Sequence, residues 1–370
     1  MRRIALSVAA SAVTLSLAGC GVLDATGDST SASPAKGNDI TVGLLLPENA
    51  ASIARYDKFD YPIIKSKVAE LTAKQGKVTY ANADADAAKQ SRQMQKMIDD
   101  KVDAILLDAV DSHAIAGEVK KAKDAGIPVI AYDRLAEGPI TAYVSFDNEL
   151  VGEVQARTLL EGLGPNAGST TKIVMINGSP TDPNAKQFKE GALSELTGKV
   201  TIAASYDTTD WKPENAQANM AKAISRVGAG NIAGVYSAND GMAGGIIKAL
   251  KAAGVTSLPP VTGQDADLDA VQRVVAGDQY MTVYKPYPDE AEAAAQMAVA
   301  RLQGKDIQFD ALTEDKVDSP TTKNIPAHLV QVTALTRKTI KDTVIVDGIY
   351  TVGDICTPKF KAECNAIGLK

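Results

Sequence analysis

Polar and aromatic residues recur along this 370-residue chain, each just after a short apolar run. Carboxylates accept hydrogen bonds, arginine and lysine donate them, and amides do both. Aromatic rings between such groups can cover apolar surfaces. A sugar has the matching chemistry, with hydroxyls around its edge and apolar C–H faces. In chain order the candidate binding residues are Arg55, Tyr56, Asp133, Arg134, Asn148, Asn184, Lys186, Trp211, Asn239, Asp265 and Lys285.

Each candidate also has a purely structural interpretation. Asp133 and Arg134 could form a surface ion pair, Trp211 could be a core aromatic, and Asn239 with Asp240 could cap a helix. Their recurrence at one position relative to successive strands favours a shared binding site.

The elements that would position these residues alternate between apolar strands and amphipathic helices. In the first half we predict strands at 40–46, 78–81, 104–107, 128–132 and 142–145, with helices at 59–74, 88–100 and 114–125 between them. The alternation restarts after Glu149. There we predict strands at 172–176, 200–205, 233–237, 260–262 and 281–284, and helices at 149–163, 184–196, 213–227, 241–253 and 268–276.

A long helix at 288–304 and short strands near 329–332 and 343–346 complete the predicted elements. Nearly continuous apolar strands separated by helices indicate parallel sheets that are covered on both faces. The length and the repeated pattern predict two doubly wound, Rossmann-like α/β lobes. Ligands of such sheets bind at the carboxyl ends of the strands, where the candidate residues stand.

The first residues have the features of an export signal. Arg2 and Arg3 precede an apolar run at 4–17 that is too short to span a bilayer, and Leu17-Ala18-Gly19-Cys20 follows. Small residues before a cysteine resemble a bacterial lipobox, so residues 1–19 are a predicted signal peptide and Cys20 a predicted lipidation site. The alternative is a secretory peptide that is cut elsewhere. Residues 20–38 have the composition of a flexible tether.

Charge and cysteine content further limit the possible functions. The formal net charge of −6 disfavours binding of a polyanion such as nucleic acid, and we expect no nucleic-acid partner. Cys356 and Cys364 lie eight residues apart in a chain that we expect to be exported, which favours a disulfide between them. Two unpaired thiols are the alternative, and a metal pair is less favoured because no histidine is near.

Enzyme signatures are weak. The nearest dinucleotide-type glycine motif, at 228–233, follows a helix and precedes a strand, which is the wrong context. The two histidines, His113 and His328, have neither triad-like nor metal-like spacing. Acidic runs at 84–86 and 265–269 lack the glycine and final glutamate of a calcium loop. We therefore expect no catalysis, no metal and no cofactor.

Seven stretches of the chain, in order, resemble the xylose-binding branch of the periplasmic sugar-binding proteins that serve ABC transporters. They are AYDR at 131–134, SFDNE at 145–149, SPTDPNAK at 179–186, DWKPENA at 210–216, SAND at 237–240, GQDAD at 263–267 and MTVYKP at 281–286. The resemblance runs from about Ile40 to Ile349. It implies the type I periplasmic binding protein fold, with two lobes joined by a three-strand hinge whose crossings lie near Phe146, Lys285 and Ile325.

The resemblance also implies domain boundaries and roles. The N-terminal lobe would comprise 39–146 and 286–325, the C-terminal lobe 147–285 and 326–350, and the tail 351–370. Arg134, Asn148, Asn239, Asp265 and Lys285 would hydrogen-bond a monosaccharide, Asp133 would accept from its hydroxyls and Trp211 would stack on it. Arg55 and Tyr56 would reach in from the first loop, and Asn184 or Lys186 would complete the ring.

The implied protein is a monomer on the outer side of the cell membrane, held only by its lipid, with the permease and ATPase of an importer as partners. A sensor that presents the sugar to a signalling receptor is the alternative. A transcription regulator with the same lobes would lack an export segment.

Two departures from the xylose-binding pattern bear on sugar choice. Tyr56 stands where a tryptophan is expected, and 107–111 reads LDAVD instead of a Pro-Tyr-Asn type. Sequence alone leaves open which monosaccharide fits, and what Asp108 and Asp111 do.

Overall fold

The computed structural model describes residues 35–48 and 55–370. The predicted signal peptide, Cys20 and the tether residues up to Pro34 lie outside this part. Among the described residues, no helix combines the length and the apolar content needed to cross a membrane.

The first sheet has seven strands in the order β10-β11-β5-β4-β3-β1-β2, all parallel except the edge strand β10. Its strands are β1 (Thr41–Leu46), β2 (Lys77–Asn82), β3 (Ala104–Leu107), β4 (Val129–Tyr132), β5 (Ala142–Phe146), β10 (Asp315–Val317) and β11 (Ile325–Val330). The helices of this lobe are α1 (Tyr61–Leu71), α2 (Ala87–Asp99), α3 (Ala116–Asp124), α9 (Tyr287–Leu302) and α10 (Asp306–Leu312). Separate apolar clusters cover the two faces of the sheet, as expected for a parallel sheet.

The second lobe is built on the parallel sheet β7-β6-β8. Isolated bridges at Val261 and Gln264 continue it toward an antiparallel pair, β12-β9. Its strands are β6 (Lys172–Asn177), β7 (Thr201–Asp207), β8 (Gly234–Ser237), β9 (Thr282–Tyr284) and β12 (Thr333–Leu335). The helices are α4 (Asn148–Leu163), α5 (Pro183–Leu196), α6 (Pro213–Val227), α7 (Asp240–Ala252) and α8 (Leu268–Ala276).

The chain passes between the two sheets three times. It leaves the first sheet after β5, returns after β9 through α9, and leaves again after β11. The third passage corrects the expected crossing near Ile325, because Ala327–Val330 pairs in parallel with β5 in the first sheet. The lobe change therefore falls between Val330 and Thr333.

The strand predicted at 343–346 is also wrong. Lys341–Ile345 forms a short helical turn, in which Val344 is buried. A four-residue apolar run fits a strand or one side of a helical turn equally well, and packing against the tail decides between them.

A disulfide joins Cys356 to Cys364 in the C-terminal tail. The tail forms two short helices, α11 (Val352–Ile355) and α12 (Lys361–Ala366), both of which pack against α8. Cys364 and Ile355 belong to the same buried cluster as Val271 of α8, so the tail is part of the second lobe's core.

Residues 35–38 are hydrogen-bonded to the first lobe. The Lys36 amide donates to the Leu302 carbonyl at 2.8 Å, and its ammonium group pairs with Asp103. Gln303 Nε2 donates to Asn38 Oδ1 at 2.8 Å. The end of the predicted tether is therefore attached beside the start of β1 and β3.

Helices α4 and α5 cross so closely that only glycine fits at the contact. A Cβ on Gly152 would lie 2.0 Å from the Phe188 carbonyl oxygen, and one on Gly191 would lie 2.0 Å from that of Glu149. The crossing fixes the N-termini of both helices, which face the first lobe.

We predict that Gly152→Ala lowers the free energy of unfolding by about 2–3 kcal/mol, because the helices must separate to admit the methyl group. Chemical denaturation measures the difference. Gly117→Ala is the matched control, since a Cβ there meets nothing within 4 Å and replacing a helical glycine gains about 0.5–1 kcal/mol. Equal denaturation midpoints for Gly152→Ala and Gly117→Ala would contradict the proposed need for glycine where α4 and α5 cross.

Candidate functional site

The carboxyl ends of the strands of both sheets meet at one pocket between the lobes. The space between the atoms that line this pocket, part of which opens to solvent, is about 350 Å³. Its walls are Arg55, Tyr56, Asp133, Arg134, Asp182, Asn184, Phe188, Trp211, Asn239, Gln264, Asp265 and Lys285. Each of these side chains is buried.

Arg55 and Asp133 form the floor on the side of the first lobe. Arg55 Nη2 lies 2.8 Å from Asp133 Oδ2 and 2.9 Å from Glu290 Oε2, and its Nε donates to Asp60 Oδ2 at 3.1 Å. The Asp133 carbonyl accepts from Tyr143 Oη at 2.7 Å and Ser145 Oγ at 2.8 Å. The guanidinium is thus shared by three carboxyls, one of which faces the pocket.

Arg134 connects the two lobes. Its Nη2 donates to Glu48 Oε1 at 3.1 Å and its Nη1 to the Ala109 carbonyl at 3.1 Å, both in the first lobe. Its Nε lies 3.0 Å from Asp182 Oδ2, across the cleft. Asp108 Oδ1 is 3.6 Å away, in the loop after β3.

A second direct contact across the cleft comes from Asn184. Its Nδ2 donates to both the carbonyl and Oδ1 of Asp133, each at 3.0 Å. Asp182 caps α5 by accepting from the Asn184 backbone at 2.9 Å, and Pro183 occupies the first turn, where it costs no hydrogen bond. The start of α5 is therefore built to present both side chains to the first lobe.

Trp211 forms the aromatic wall. Its Nε1 donates to Asp182 Oδ2 at 3.1 Å, and its ring meets Phe188 edge to face with centroids 6.3 Å apart. Gly178 lies beneath the indole, and a Cβ there would lie 2.0 Å from it. The ring is thereby held in one orientation with one side in the pocket.

Lys285 and Asp265 close the opposite side. Lys285 Nζ lies 3.2 Å from Asp265 Oδ1 and 4.8 Å from the centroid of the Phe146 ring. Asn239 caps α7, accepting from the Met242 amide at 3.0 Å, so its Nδ2 remains to donate toward the pocket. Capping and ligand binding are compatible in this residue.

Three of the pocket residues have left-handed backbone conformations. The φ angles are 58° at Asp133, 56° at Trp211 and 96° at Asp265. Such conformations cost about 1–3 kcal/mol each in residues other than glycine. They aim the three side chains inward, and the hydrogen bonds around each residue hold them.

Burial shifts the pKa values of the carboxyls around the pocket in both directions. Burial raises the pKa of Asp133, but the charges of Lys285, Arg55 and Arg134 outweigh it and lower the value overall. Burial also raises the pKa of Asp182 to about 6, against the opposing charge of Arg134. It raises the pKa of Asp60 to about 6 in the same way, against the opposing charge of Arg55. The pKa values of Asp108 and Glu290 are raised by the same cause.

Two of the eleven candidate residues do not line this pocket. Lys186 is exposed and pairs with Glu190 at 3.5 Å. It lies two residues after Asn184 in α5, and at about 100° per residue it points away from the cleft. Asn148 is buried but lies outside the wall, where its Nδ2 donates to Gln187 at 3.0 Å.

Three wall residues are absent from the eleven candidates, namely Asp182, Phe188 and Gln264. Phe188 lies four residues after Asn184, so helical spacing places the two on one face. Asp182 precedes Pro183 in the position of a helix cap, and Gln264 immediately precedes Asp265. These signals were present in the sequence but did not distinguish a wall residue from a cap or a core residue.

Two amide oxygens in the pocket wall have no hydrogen-bond donor among the described residues. They are Oδ1 of Asn184 and Oε1 of Gln264, both buried. An unpaired buried acceptor is costly, so both oxygens favour a ligand that donates hydrogen bonds.

Residues 57–306 match the family described as periplasmic binding protein domain. The D-xylose-binding periplasmic protein of Haemophilus influenzae is 34% identical over 86% of this chain and 93% of its own length. Its Escherichia coli counterpart is 33% identical over 87% and 94%. A solved ABC transporter solute binding protein from Clostridium phytofermentans with bound β-D-glucose superimposes with a TM-score of 0.77, at 25% identity, over 85% of this chain and 99% of that one. The type I periplasmic binding protein fold expected from the sequence is confirmed.

The raised pKa values predict that acid stabilises the folded protein between neutral pH and about pH 5. A carboxyl whose folded pKa lies above its unfolded value contributes stability when protonated, and loses it as pH rises through the folded pKa. Asp60 and Asp182, each at about 6, should therefore make the Tm higher at pH 5 than at pH 8.

Thermal unfolding across this range checks the expectation. Asp182→Asn should flatten the pH dependence, whereas Asp210→Asn, at an exposed neighbouring position, should leave it unchanged. A Tm that rises steadily from pH 5 to pH 8 would refute the assignment.

Proposed function

The chain belongs to the periplasmic binding protein family, in the branch that contains the D-xylose-binding proteins, and from this premise we propose that it captures a monosaccharide outside the cytoplasm for an ABC importer. Xylose or a similar pentose or hexose is the proposed ligand. The similarity to D-xylose-binding proteins supports sugar binding, and the pocket supplies the chemistry.

The observation that carries the proposal is the composition of the pocket wall. Arg55, Arg134 and Lys285 donate hydrogen bonds, while Asp133 and Asp265 accept them. The free oxygens of Asn184 and Gln264 require donors, which sugar hydroxyls supply. Trp211 offers an indole face against which the C–H groups of a sugar ring can pack.

We propose binding without catalysis. Asp133 is held by Arg55 and Asn184, and Asp182 by Arg134 and Trp211, so both carboxyls already have charged or polar partners, which favours a binding role. The named relatives are binding proteins, which agrees with this assignment.

Lobe closure is the proposed mechanism of capture. Asp133 is 5% exposed and Lys285 3% exposed, which favours entry of the sugar when the lobes separate. Separation breaks the contacts of Asn184 with Asp133 and of Arg134 with Asp182, and the three connecting segments provide the hinge. A sugar that contacts both lobes favours the closed form through its differential affinity. The closed shape is what importer subunits would recognise.

We further propose that Cys20 carries a lipid that holds the protein at the outer side of the membrane. The support is the order of charge, apolar run, small residues and cysteine at the start of the chain.

We expect calorimetric titration with xylose, glucose, galactose, arabinose and ribose to detect binding of at least one sugar. Trp211→Ala should weaken that binding about 30-fold, because a buried aromatic anchor contributes about 2 kcal/mol. Asp265→Asn is the second variant for the same titration. Unlike Trp211→Ala, it keeps the shape of the side chain and leaves no large cavity. Small-angle scattering on the same samples should give a smaller radius of gyration with sugar.

Lys186→Ala is the matched control for this titration, and its affinity should equal that of the parent protein because the side chain lies outside the pocket. Absence of heat with every sugar would overturn the monosaccharide proposal. An unchanged radius of gyration at saturation would overturn closure alone.

For the anchor, we expect Cys20→Ser to abolish fatty-acid labelling and to move the protein from the membrane fraction to the soluble fraction. The Cys356→Ser/Cys364→Ser double variant should keep both label and location, because those cysteines bond to each other. Membrane association that survives Cys20→Ser would argue for another mode of attachment.

A further inference from the structure

Asp240 is a fully buried carboxyl that lies behind the pocket and not in its wall. Its Oδ1 accepts from Gln279 Nε2 at 2.7 Å. Its Oδ2 accepts from the Thr282 hydroxyl at 2.8 Å and from the Asp267 amide at 3.0 Å. Three donors from two parts of the chain, at 267 and at 279–282, therefore converge on one side chain.

Each of these parts carries a residue of the pocket wall. Asp240 itself follows Asn239, and its amide donates to the Gln264 carbonyl at 3.1 Å. The Asp267 amide ends the 264–267 loop, which bears Gln264 and Asp265. Thr282 begins β9, which leads to Lys285. One carboxylate thus connects all the wall residues that follow α6.

The surroundings of Asp240 leave no room for rearrangement. A Cβ on Gly263 would lie 2.0 Å from Asp240 Oδ1 and 2.4 Å from Gln279 Nε2. Gln279 cannot reverse its amide freely, because its Oε1 accepts from Arg273 Nε at 3.0 Å and its Nε2 also donates to the Met281 carbonyl at 3.0 Å. An amide in place of the carboxylate would set NH₂ against at least one of these donors.

The loop that Asp240 holds contains strained backbone. Asp265 has a φ of 96° and Ala266 a φ of 54°, and the Ala266 amide donates to the same Thr282 hydroxyl that donates to Asp240. Such conformations persist only where surrounding contacts fix them. Asp240 provides the contacts at the far end of this turn.

We propose that Asp240 is a positioning residue for ligand binding: it never touches the sugar, but it fixes the 264–267 loop so that Asp265 and Gln264 face the pocket. The inference rests on the proposed function for its ligand and on hydrogen-bond geometry for its mechanism. A side chain outside the pocket would therefore determine how the wall residues of the second lobe are placed for sugar recognition.

Asp240→Asn tests the proposal in the full-length protein. We expect sugar affinity to fall at least 10-fold while far-ultraviolet circular dichroism stays that of the folded protein. Hydrogen exchange of the 265–267 amides, measured without sugar, should become faster. Asp278→Asn makes the same chemical change at an exposed ion pair with Lys251, and should alter neither quantity.

A double-mutant cycle with Asp265→Asn separates positioning from general destabilisation. If Asp240 acts through Asp265, the two affinity losses are strongly non-additive, and Asp240→Asn costs little once Asp265 is replaced. Additive losses would overturn the proposal, as would unchanged affinity in Asp240→Asn. If Asp240→Asn does not fold, Thr282→Val is the alternative variant, because it removes one hydrogen-bond donor to Asp240 and leaves the carboxyl in place. It should weaken sugar binding several-fold, and the double-mutant cycle is then made with Thr282→Val and Asp265→Asn.

The exchange measurement keeps this proposal distinct from the function on which it rests. A parent protein that binds no sugar refutes the proposed function, yet faster exchange at 265–267 in Asp240→Asn still supports the positioning role. Unchanged exchange refutes that role whatever the parent protein binds.

Discussion

Asp182 accepts from both Arg134 and Trp211, and the closed cleft depends on this shared contact. A guanidinium that is removed from water needs partners for its N–H groups, and among the described residues the first lobe supplies Glu48, Asp108 and a carbonyl. The second lobe completes the set with Asp182. Because the same carboxyl oxygen also accepts from the indole, one group fixes the spacing of the lobes and the orientation of the aromatic wall.

The rest of the site follows from the need to bury many charges at one place. Three cations lie among a larger number of carboxyls, and a buried carboxylate without a cation would be expelled or protonated. The balance differs from one carboxyl to the next: three nearby cations lower the pKa of Asp133, whereas burial raises the pKa of Asp60 and of Asp182 although each contacts one arginine. Each charge is held by several others, so the polar groups that face the pocket are fixed by the protein itself in this closed arrangement.

Sequence reasoning located most of the core elements, because buried parallel strands appear as short apolar runs that alternate with amphipathic helices. It also brought nine of its eleven candidate residues to one pocket, since strand ends converge by topology. It failed where a single helical turn decides the outcome. Lys186 and Phe188 differ by two positions in α5, and only the rotation of the helix places one in solvent and the other in the wall. The 343–346 run and the third lobe change depended on long-range packing that no local pattern contains.

The attachment of residues 35–38 has a mechanical consequence. These residues are bonded to the first lobe beside the starts of β1 and β3, at the end of the sheet opposite to the pocket. Under the proposed anchor, a load on the chain would therefore be borne by the first lobe and would not pass through the three connecting segments. The first lobe would then be the fixed base, and the second lobe would stay free to move without torque on those segments.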